Sequence, residues 1–336
     1  MGKIKLDEIG YWSEIKLDII KEYSNAYSIM MNKQSHIRNY YYIDGFAGSG
    51  YHIAKNTKEL IPGSPTNALN VKHPFDEYHF IDMDGDKAQL LEAISKDHPK
   101  VHVYEGDCNS ILIDKIFPLV KYEDYNRAIC VLDPYGLHLN WEVMYTAGQS
   151  KTIDMFLNFP VMDMNRNILR RDPSKVDKGQ IERMNAFWGD ESWQDAAYEK
   201  RKDLFDDTFE EKTSNRTIAE AFRKRLKEKA GFKYVPEPIP MRNTTGATIY
   251  YLFFASPNKT CPRFSGCIPS ASFSGSIKLT IFLKSNPFGK GSWIIMPETF
   301  SSSFNLFMES ISSCSLILSF NPLSSYSIPR ASEDLR

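Results

Sequence analysis

The 336-residue chain has no apolar run of the roughly 18 to 20 residues that a bilayer span requires. Its opening stretch, MGKIKLDEIG, holds no extended apolar core of the kind a signal peptide carries. Gly2 stands where myristoylation would need it, but Leu6 takes the place of the required Ser or Thr, which excludes lipidation there. These absences set the expectation of a cytoplasmic protein with no membrane partner. The five cysteines, Cys108, Cys130, Cys261, Cys267 and Cys314, form no CxxC pair and have no His at zinc-ligand spacing. Scattered thiols suit a reducing compartment, and no metal site is expected. Neither sign of charge dominates: 41 Lys and Arg against 42 Asp and Glu leave a net −1, so a polyanionic partner would need a local basic patch. Internal repeats are absent too.

What is present is an ordinary globular composition, 42% hydrophobic and 25% charged, with a regular alternation of strand and helix patterns. Residues 12 to 31 repeat Trp12, Ile15, Ile19, Tyr23, Tyr27 and Met30 at steps of three and four, one buried face of a helix. Strand patterns follow at YYYID (40–44), EYHFID (77–82), VHVYEGD (101–107), AICVLD (128–133) and TIDMFLNF (152–159), with helical patterns between them. That order predicts a parallel sheet with helices on both faces, and its ligands belong at the strand ends. Residues 161–230 are charged and helix-prone. FKYVPEPIPMRN and ATIYYLFFAS, joined through Thr244, Thr245 and Gly246, read as an antiparallel hairpin. From Cys261 onward about a quarter of the residues are Ser and acids nearly vanish, a biased composition. It reads either as a disordered tail or as a stretch outside the original reading frame.

The first strand runs into DGFAGSG. Glycines in a strand-to-helix turn let backbone N–H groups approach a ligand. The turn lacks GK[ST], so it is no triphosphate loop, and its glycines are out of register with GxGxxG. Asp44 just before them would repel a pyrophosphate. It suits a ligand with an amino group, a sulfonium and no phosphate, and S-adenosylmethionine is such a ligand. Asp82, ending the second strand, is placed to accept ribose hydroxyls, with Asp84 as a rival; Asp107, closing the third, is placed to accept an adenine amino group. Each has a plain alternative as a helix N-cap. Three successive strands ending in Asp favour the ligand reading.

With LDPYGLH ending the fourth strand, the chain resembles the Rossmann-like S-adenosylmethionine-dependent methyltransferases over residues 38 to 258. More narrowly, YIDGFAGSG, PGSPTNAL (62–69), FIDMD, LDPYG and MFLNFPVMDMNRN resemble the three-Cys-motif partner proteins of bacteria and phages. The resemblance implies an α/β fold with a mostly parallel seven-stranded central sheet and a terminal antiparallel hairpin. It also implies a neighbouring three-cysteine protein as partner. Its implied cofactor site is Asp44, Gly45, Phe46, Ala47, Gly48, Gly50, Asp82, Asp107 and Cys108. The implied chemistry is methyl transfer to an exocyclic nucleobase amine, with Asp133, Pro134 and Tyr135 as the catalytic motif. Asp133 or the Pro134 carbonyl would accept the amine hydrogens and Tyr135 would stack on the base. Asn158, Phe159 and Pro160, ending the fifth strand, and Gly136 are candidates for the acceptor pocket, and His138 follows the motif.

Nucleic acid as partner would need phosphate contacts. Arg166, Arg170 and Arg171, with Lys175, Lys178 and Arg183, form one candidate grip; Arg223, Lys224, Arg225, Lys227 and Lys229 form a second. Both have the alternative of solvated helix faces. The expected division is a helical extension over 1–37, a methyltransferase-like domain over 38–258 with a helical insertion at about 161–230, and a Ser-rich tail over 259–336. The other readings are a binding protein that uses this fold without catalysis, and a methyltransferase acting on protein or a small molecule.

Overall fold

Tyrosines alternate between two buried faces along residues 39–44, and that alternation organises the molecule. A computed structural model describes residues 6–170, 175–202, 208–243, 245–258, 281–283 and 292–294. The expected tail therefore lies almost wholly outside the described residues. In chain order the first elements are β1 (Glu8–Ile9), α1 (Tyr11–Asn32), β2 (Asn39–Asp44), β3 (Tyr51–Ala54), β4 (Leu60–Pro62) and α2 (Ser64–Leu69). Next come β5 (Glu77–Asp82), α3 (Gly85–Ile94), β6 (Val101–Glu105), α4 (Cys108–Ile111), β7 (Asn126–Leu132), α5 (Trp141–Ser150) and β8 (Ile153–Phe159). Then follow α6 (Val161–Asn167), α7 (Lys178–Trp188), α8 (Trp193–Ala197), β9 (Tyr198–Lys202), β10 (Thr208–Lys212), α9 (Asn215–Glu228), β11 (Ile239–Arg242) and β12 (Thr248–Ala255). A short antiparallel pair, β13 (Ile281–Leu283) and β14 (Ser292–Ile294), is last, and helical turns over Leu112–Ile116 and Phe117–Leu119 continue α4.

Seven strands form one sheet in the order β11-β12-β8-β7-β2-β5-β6. Pairing is parallel from β8 through to β6, and β12 runs antiparallel to both β8 and β11. This is the Rossmann-like α/β sheet closed by a reversed hairpin, as the resemblance implies. The strand order reverses between β2 and β7, the switch point at which an open α/β sheet leaves a crevice.

Side chains sort by parity. Tyr41, Ile43, Cys130, Leu132, Met155 and Leu157 join one buried cluster with residues of α5, α7 and α9. Tyr40, Tyr42, Phe156 and Phe254 face the other way, into an aromatic layer. There the Tyr23 ring of α1 lies 5.1 Å from Phe156 and 5.0 Å from Phe254, and Tyr27 stacks on Phe75 at 6.3 Å. Such pairs each contribute about 1 kcal/mol beyond the area they bury. The helix before residue 38 thus packs its aromatic side chains into this layer.

Two features depart from the sequence reading. Residues 161–230 are not wholly helical, because β9 and β10 pair as an antiparallel hairpin inside them. Residues 8–9, 51–54 and 60–62 form a separate small sheet in the order β1-β3-β4. Its strands are two to four residues long, too short to show a period. Among the described residues no helix is long and apolar enough to cross a membrane.

Candidate functional site

The turn after β2 is held by its own backbone. Gly45 N donates to Val131 O and Ala47 N to Ile81 O, each at 2.9 Å, which ties the loop to both neighbouring strands. Gly48 N donates to Asp82 Oδ2 at 2.8 Å, so the carboxylate expected to meet a ribose also anchors the glycine loop. Asp82 Oδ1 accepts from Asp84 N at 2.9 Å. A carboxylate has about four acceptor positions, so Asp82 keeps capacity for further donors.

Two glycines in this turn answer to different demands. At Gly50, with φ +81°, an added Cβ would sit 2.4 Å from Ile94 Cδ1 and 3.3 Å from Thr66 Oγ1. Its carbonyl accepts from Gly63 N at 2.8 Å and Thr66 Oγ1 at 2.6 Å, which explains the PGSPT segment. Gly48, at φ +66°, meets nothing nearer than His52 Cε1 at 3.9 Å. At Gly50 an added Cβ would have to push the Ile94 Cδ1 methyl aside on top of a disfavoured φ, whereas the space beside Gly48 has room for one. Gly50→Ala is expected to cost about 3 kcal/mol through overpacking and a disfavoured φ. Gly48→Ala is expected to cost about 1 kcal/mol. Thermal unfolding of the two variants checks the difference.

Asp44 is fully buried at 0% exposure. Its Oδ1 accepts from Phe46 N at 3.2 Å; Oδ2 has no hydrogen bond of good geometry, although the Ser64 side chain lies near enough to favour the charged form. Burial pushes its pKa up to about 7, against the pull of Ser64 and the Phe46 N–H. Beyond the turn, Phe46 packs partly buried against the core cluster and Ala47 is buried. Asp107 stands two residues beyond β6, exposed, and caps α4 by accepting from Asn109 N at 3.2 Å and Asn109 Nδ2 at 2.9 Å. Asp84 caps α3 through Asp86 N. Cys108 is a core residue: burial, with the charges of Asp107 and Asp82, holds its thiol far above the usual range.

Across the rim, β7 delivers the DPYG segment. Here tertiary structure brings in Lys16, a residue absent from the sequence-based candidates. Lys16 of α1 is 7% exposed, and its Nζ donates to Asp133 Oδ2. It also lies 5.5 Å from the Tyr250 ring centroid. Burial opposes its charge, but Asp133, Tyr250 and Asp44 together hold its pKa above the usual value. Asp133 Oδ1 accepts from Asn158 Nδ2 at 2.7 Å. His52 on β3 is a second addition. Burial, then the Lys16 charge, lowers its pKa, and its Nδ1 has no partner. Its ring borders the open space beside Gly48, a neighbourhood that no motif or spacing in the chain marks.

Pro134 and Pro160 are buried, Gly136 takes φ +64° in the turn, and Tyr135 stands 89% exposed. An added Cβ at Gly136 would meet Asp163 Oδ2 at 2.9 Å and Arg183 Nη2 at 3.5 Å. Arg183 Nη2 is also 3.5 Å from His138 Nε2. Arg166 and Arg170 are exposed, and Arg171 lies outside the described residues. In the second basic cluster Lys224, Lys227 and Lys229 are exposed, and the two arginines are engaged inside the protein. Arg223 pairs with Glu220 and donates to the carbonyls of Val235 and Pro236; Arg225 pairs with Asp190 and covers the Trp141 ring at 4.6 Å. Those two arginines clamp α9 to its surroundings and leave the three lysines as the cluster's exposed surface charge.

No protein-family model matches the chain, and no curated protein does. Among solved structures it is similar to protein LPL1258 from Legionella pneumophila, at 12% identity over 73% of this chain and 87% of that one, with a TM-score of 0.42. It is similar to the DszA carbon methyltransferase at 11% identity over 73% of this chain and 54% of that one, with a TM-score of 0.39, and so spans about half that protein's length. Fibrillarin from Aeropyrum pernix, solved with natively bound S-adenosyl-L-methionine, matches at 9% identity over 73% of this chain and 76% of that one, with a TM-score of 0.28. The strand order carries the fold assignment by itself. Among the described residues no group of three or more His, Cys, Asp or Glu is placed to share a metal ion.

Proposed function

We propose that this protein is an S-adenosylmethionine-dependent methyltransferase whose acceptor is an exocyclic amine of a nucleobase in DNA or RNA. One observation carries the reading. A fully buried carboxylate, Asp44, with one oxygen lacking a hydrogen bond of good geometry, stands at the end of β2, beside a second carboxylate, Asp133, held by Lys16 and Asn158 at the end of the adjacent β7. The donor set fits a cationic ligand: a sulfonium or ammonium would meet Asp44, with Gly48 leaving space and Asp82 keeping acceptor capacity for hydroxyls. Asp107, exposed at the end of the third strand connection, would meet the adenine amino group.

When bound, the cofactor supplies an electrophilic methyl group on sulfur. The protein's task is then to orient the acceptor nitrogen and take its surplus proton. Asp133 is suited to both, since its side chain is 35% exposed and can pass the proton to water. Lys16 holds that carboxylate in one orientation, and holding methyl donor and acceptor nitrogen in line as a whole supplies a rate term of about 7 kcal/mol or more. Tyr135, exposed beside it, offers a ring for a flipped base, whose extrusion from a duplex costs a few kcal/mol. Arg166, Arg170 and Arg171 are the proposed phosphate contacts, and a three-cysteine protein encoded nearby is the proposed partner.

The consumption of Arg223 and Arg225 inside the fold favours a second reading, a protein or small-molecule acceptor, because it shrinks the basic surface available to phosphates. A third reading, a non-catalytic binding protein, is favoured by the engagement of both Asp133 oxygens. Incubation with methyl-labelled S-adenosylmethionine and separate pools of DNA, RNA and protein tests all three. Label is expected in a nucleic-acid pool, with binding that weakens as salt rises. Label in protein alone would establish the second reading, and no label with intact cofactor binding would establish the third.

A further inference from the structure

We infer that Asn158 is a second hydrogen acceptor for the methylated nitrogen, and that the acceptor must therefore be a primary amine that is methylated once. The inference rests on the function proposed above and concerns which acceptors that site admits. Asn158 lies near the end of β8, and its Nδ2 donates to Asp133 Oδ1 at 2.7 Å. That contact fixes the amide, since the opposite orientation would set a carbonyl oxygen against a carboxylate oxygen. The other end of the amide, Oδ1, is then left shielded from water with no hydrogen-bond partner. A buried acceptor without a donor is costly, and a ligand that supplies an N–H removes the cost.

The neighbouring groups sharpen the demand. Asp133 Oδ2 already takes the Lys16 ammonium, so that donor is spent. What remains beside the Lys16 ion pair is a carboxylate and an amide oxygen, two acceptors held next to one another by the Asn158–Asp133 contact. A group with two N–H bonds satisfies both. A hydroxyl offers one hydrogen and a carbonyl none, and a site built for a donor rejects analogues that lack it. In the reaction the nitrogen lone pair forms the N–C bond while the C–S bond breaks with its electron pair to sulfur. Asp133 takes the proton that the nitrogen loses. The product keeps one N–H, can no longer satisfy both oxygens, and is a poor second substrate.

Two measurements on the full chain test this. In the first, oligonucleotides bind the cofactor-free protein and anisotropy compares adenine with hypoxanthine and cytosine with uracil at one position. The wild type is expected to favour one amine-bearing base over its oxo counterpart by about tenfold, and Asn158→Leu to abolish the preference. In the second, nucleosides from the labelled reaction are resolved by mass spectrometry. The monomethylamine is expected, with the rate reduced about 100-fold in Asn158→Leu while titrated S-adenosylmethionine affinity stays within about threefold. Equal binding of amine and oxo bases, a dimethylated product, or an Asn158→Leu variant that keeps both rate and preference would overturn this inference alone. Absence of transfer to every pool would overturn it together with the proposed function.

Discussion

Asp44→Asn is expected to change stability and cofactor affinity in opposite directions above pH 7. The Asp44 carboxyl is fully buried, and burial lifts its pKa from 3.8 to about 7. Because the folded state holds the proton more tightly than the unfolded chain does, folding loses stability as pH rises through the interval between those values. At about 1.4 kcal/mol per pH unit the loss reaches about 4 kcal/mol by pH 7 and stays constant above it. An amide carries no such loss. Relative to wild type, the variant should therefore gain up to about 4 kcal/mol between pH 4 and pH 7.5, read from denaturant unfolding at several pH values. A difference that does not vary with pH would remove the buried-acid account.

Cofactor binding should show the reverse. A cation beside Asp44 favours the ionised form, so below pH 7 the wild type must release a proton as it binds S-adenosylmethionine. Affinity is expected to rise up to tenfold per pH unit below pH 7 and level off above it. Calorimetry in two buffers of different ionisation enthalpy should register the released proton. Asp44→Asn should bind at least about tenfold more weakly at pH 8 and release none. Binding that ignores pH in the wild type would place the cation elsewhere.

The second large effect concerns Lys16. Removing one partner from a buried ion pair commonly costs about 3 to 5 kcal/mol, because the other charge is left uncompensated. Asp133 is about one-third exposed, so water screens part of that, and Lys16→Met is expected to cost about 1 kcal/mol. Asp133→Ala strands the better-buried ammonium instead and should cost about 3 kcal/mol. Transfer rate is expected to fall at least about 100-fold in both, with S-adenosylmethionine affinity within about threefold of wild type. The double variant Lys16→Met with Asp133→Leu should regain most of the stability and none of the activity. Normal transfer by Lys16→Met would dismiss the lysine as a positioning residue.

Much of the fold was legible in the chain because buried strands and amphipathic helices carry local periods. EYHFID forms β5 over the residues expected, and the parity of the tyrosines in residues 39–44 announces a strand buried on both faces. The hairpin β9–β10 was not legible, since YEKRK and TFEEK lack apolar alternation and sit within a charged, helix-prone stretch. Other roles the sequence left open. Cys108 follows a strand-end Asp yet points into the core, and Arg223 with Arg225 sits in a basic run yet is consumed by Glu220 and Asp190.

Local patterning was enough to specify the strand-and-helix order, the glycine turn and the acids closing successive strands, because each is a short-range signal of hydrophobicity or backbone freedom. Which groups face one another across the rim was settled by folding in three dimensions alone. Lys16 and Asp133 are 117 positions apart, and Asp133 and Asn158 are 25 apart. Such pairings have no period to reveal them, since they arise when helix α1 docks on the aromatic face and parallel strands align. Tertiary packing likewise buries Asp44, and burial of that kind lifts a carboxylate pKa toward neutrality.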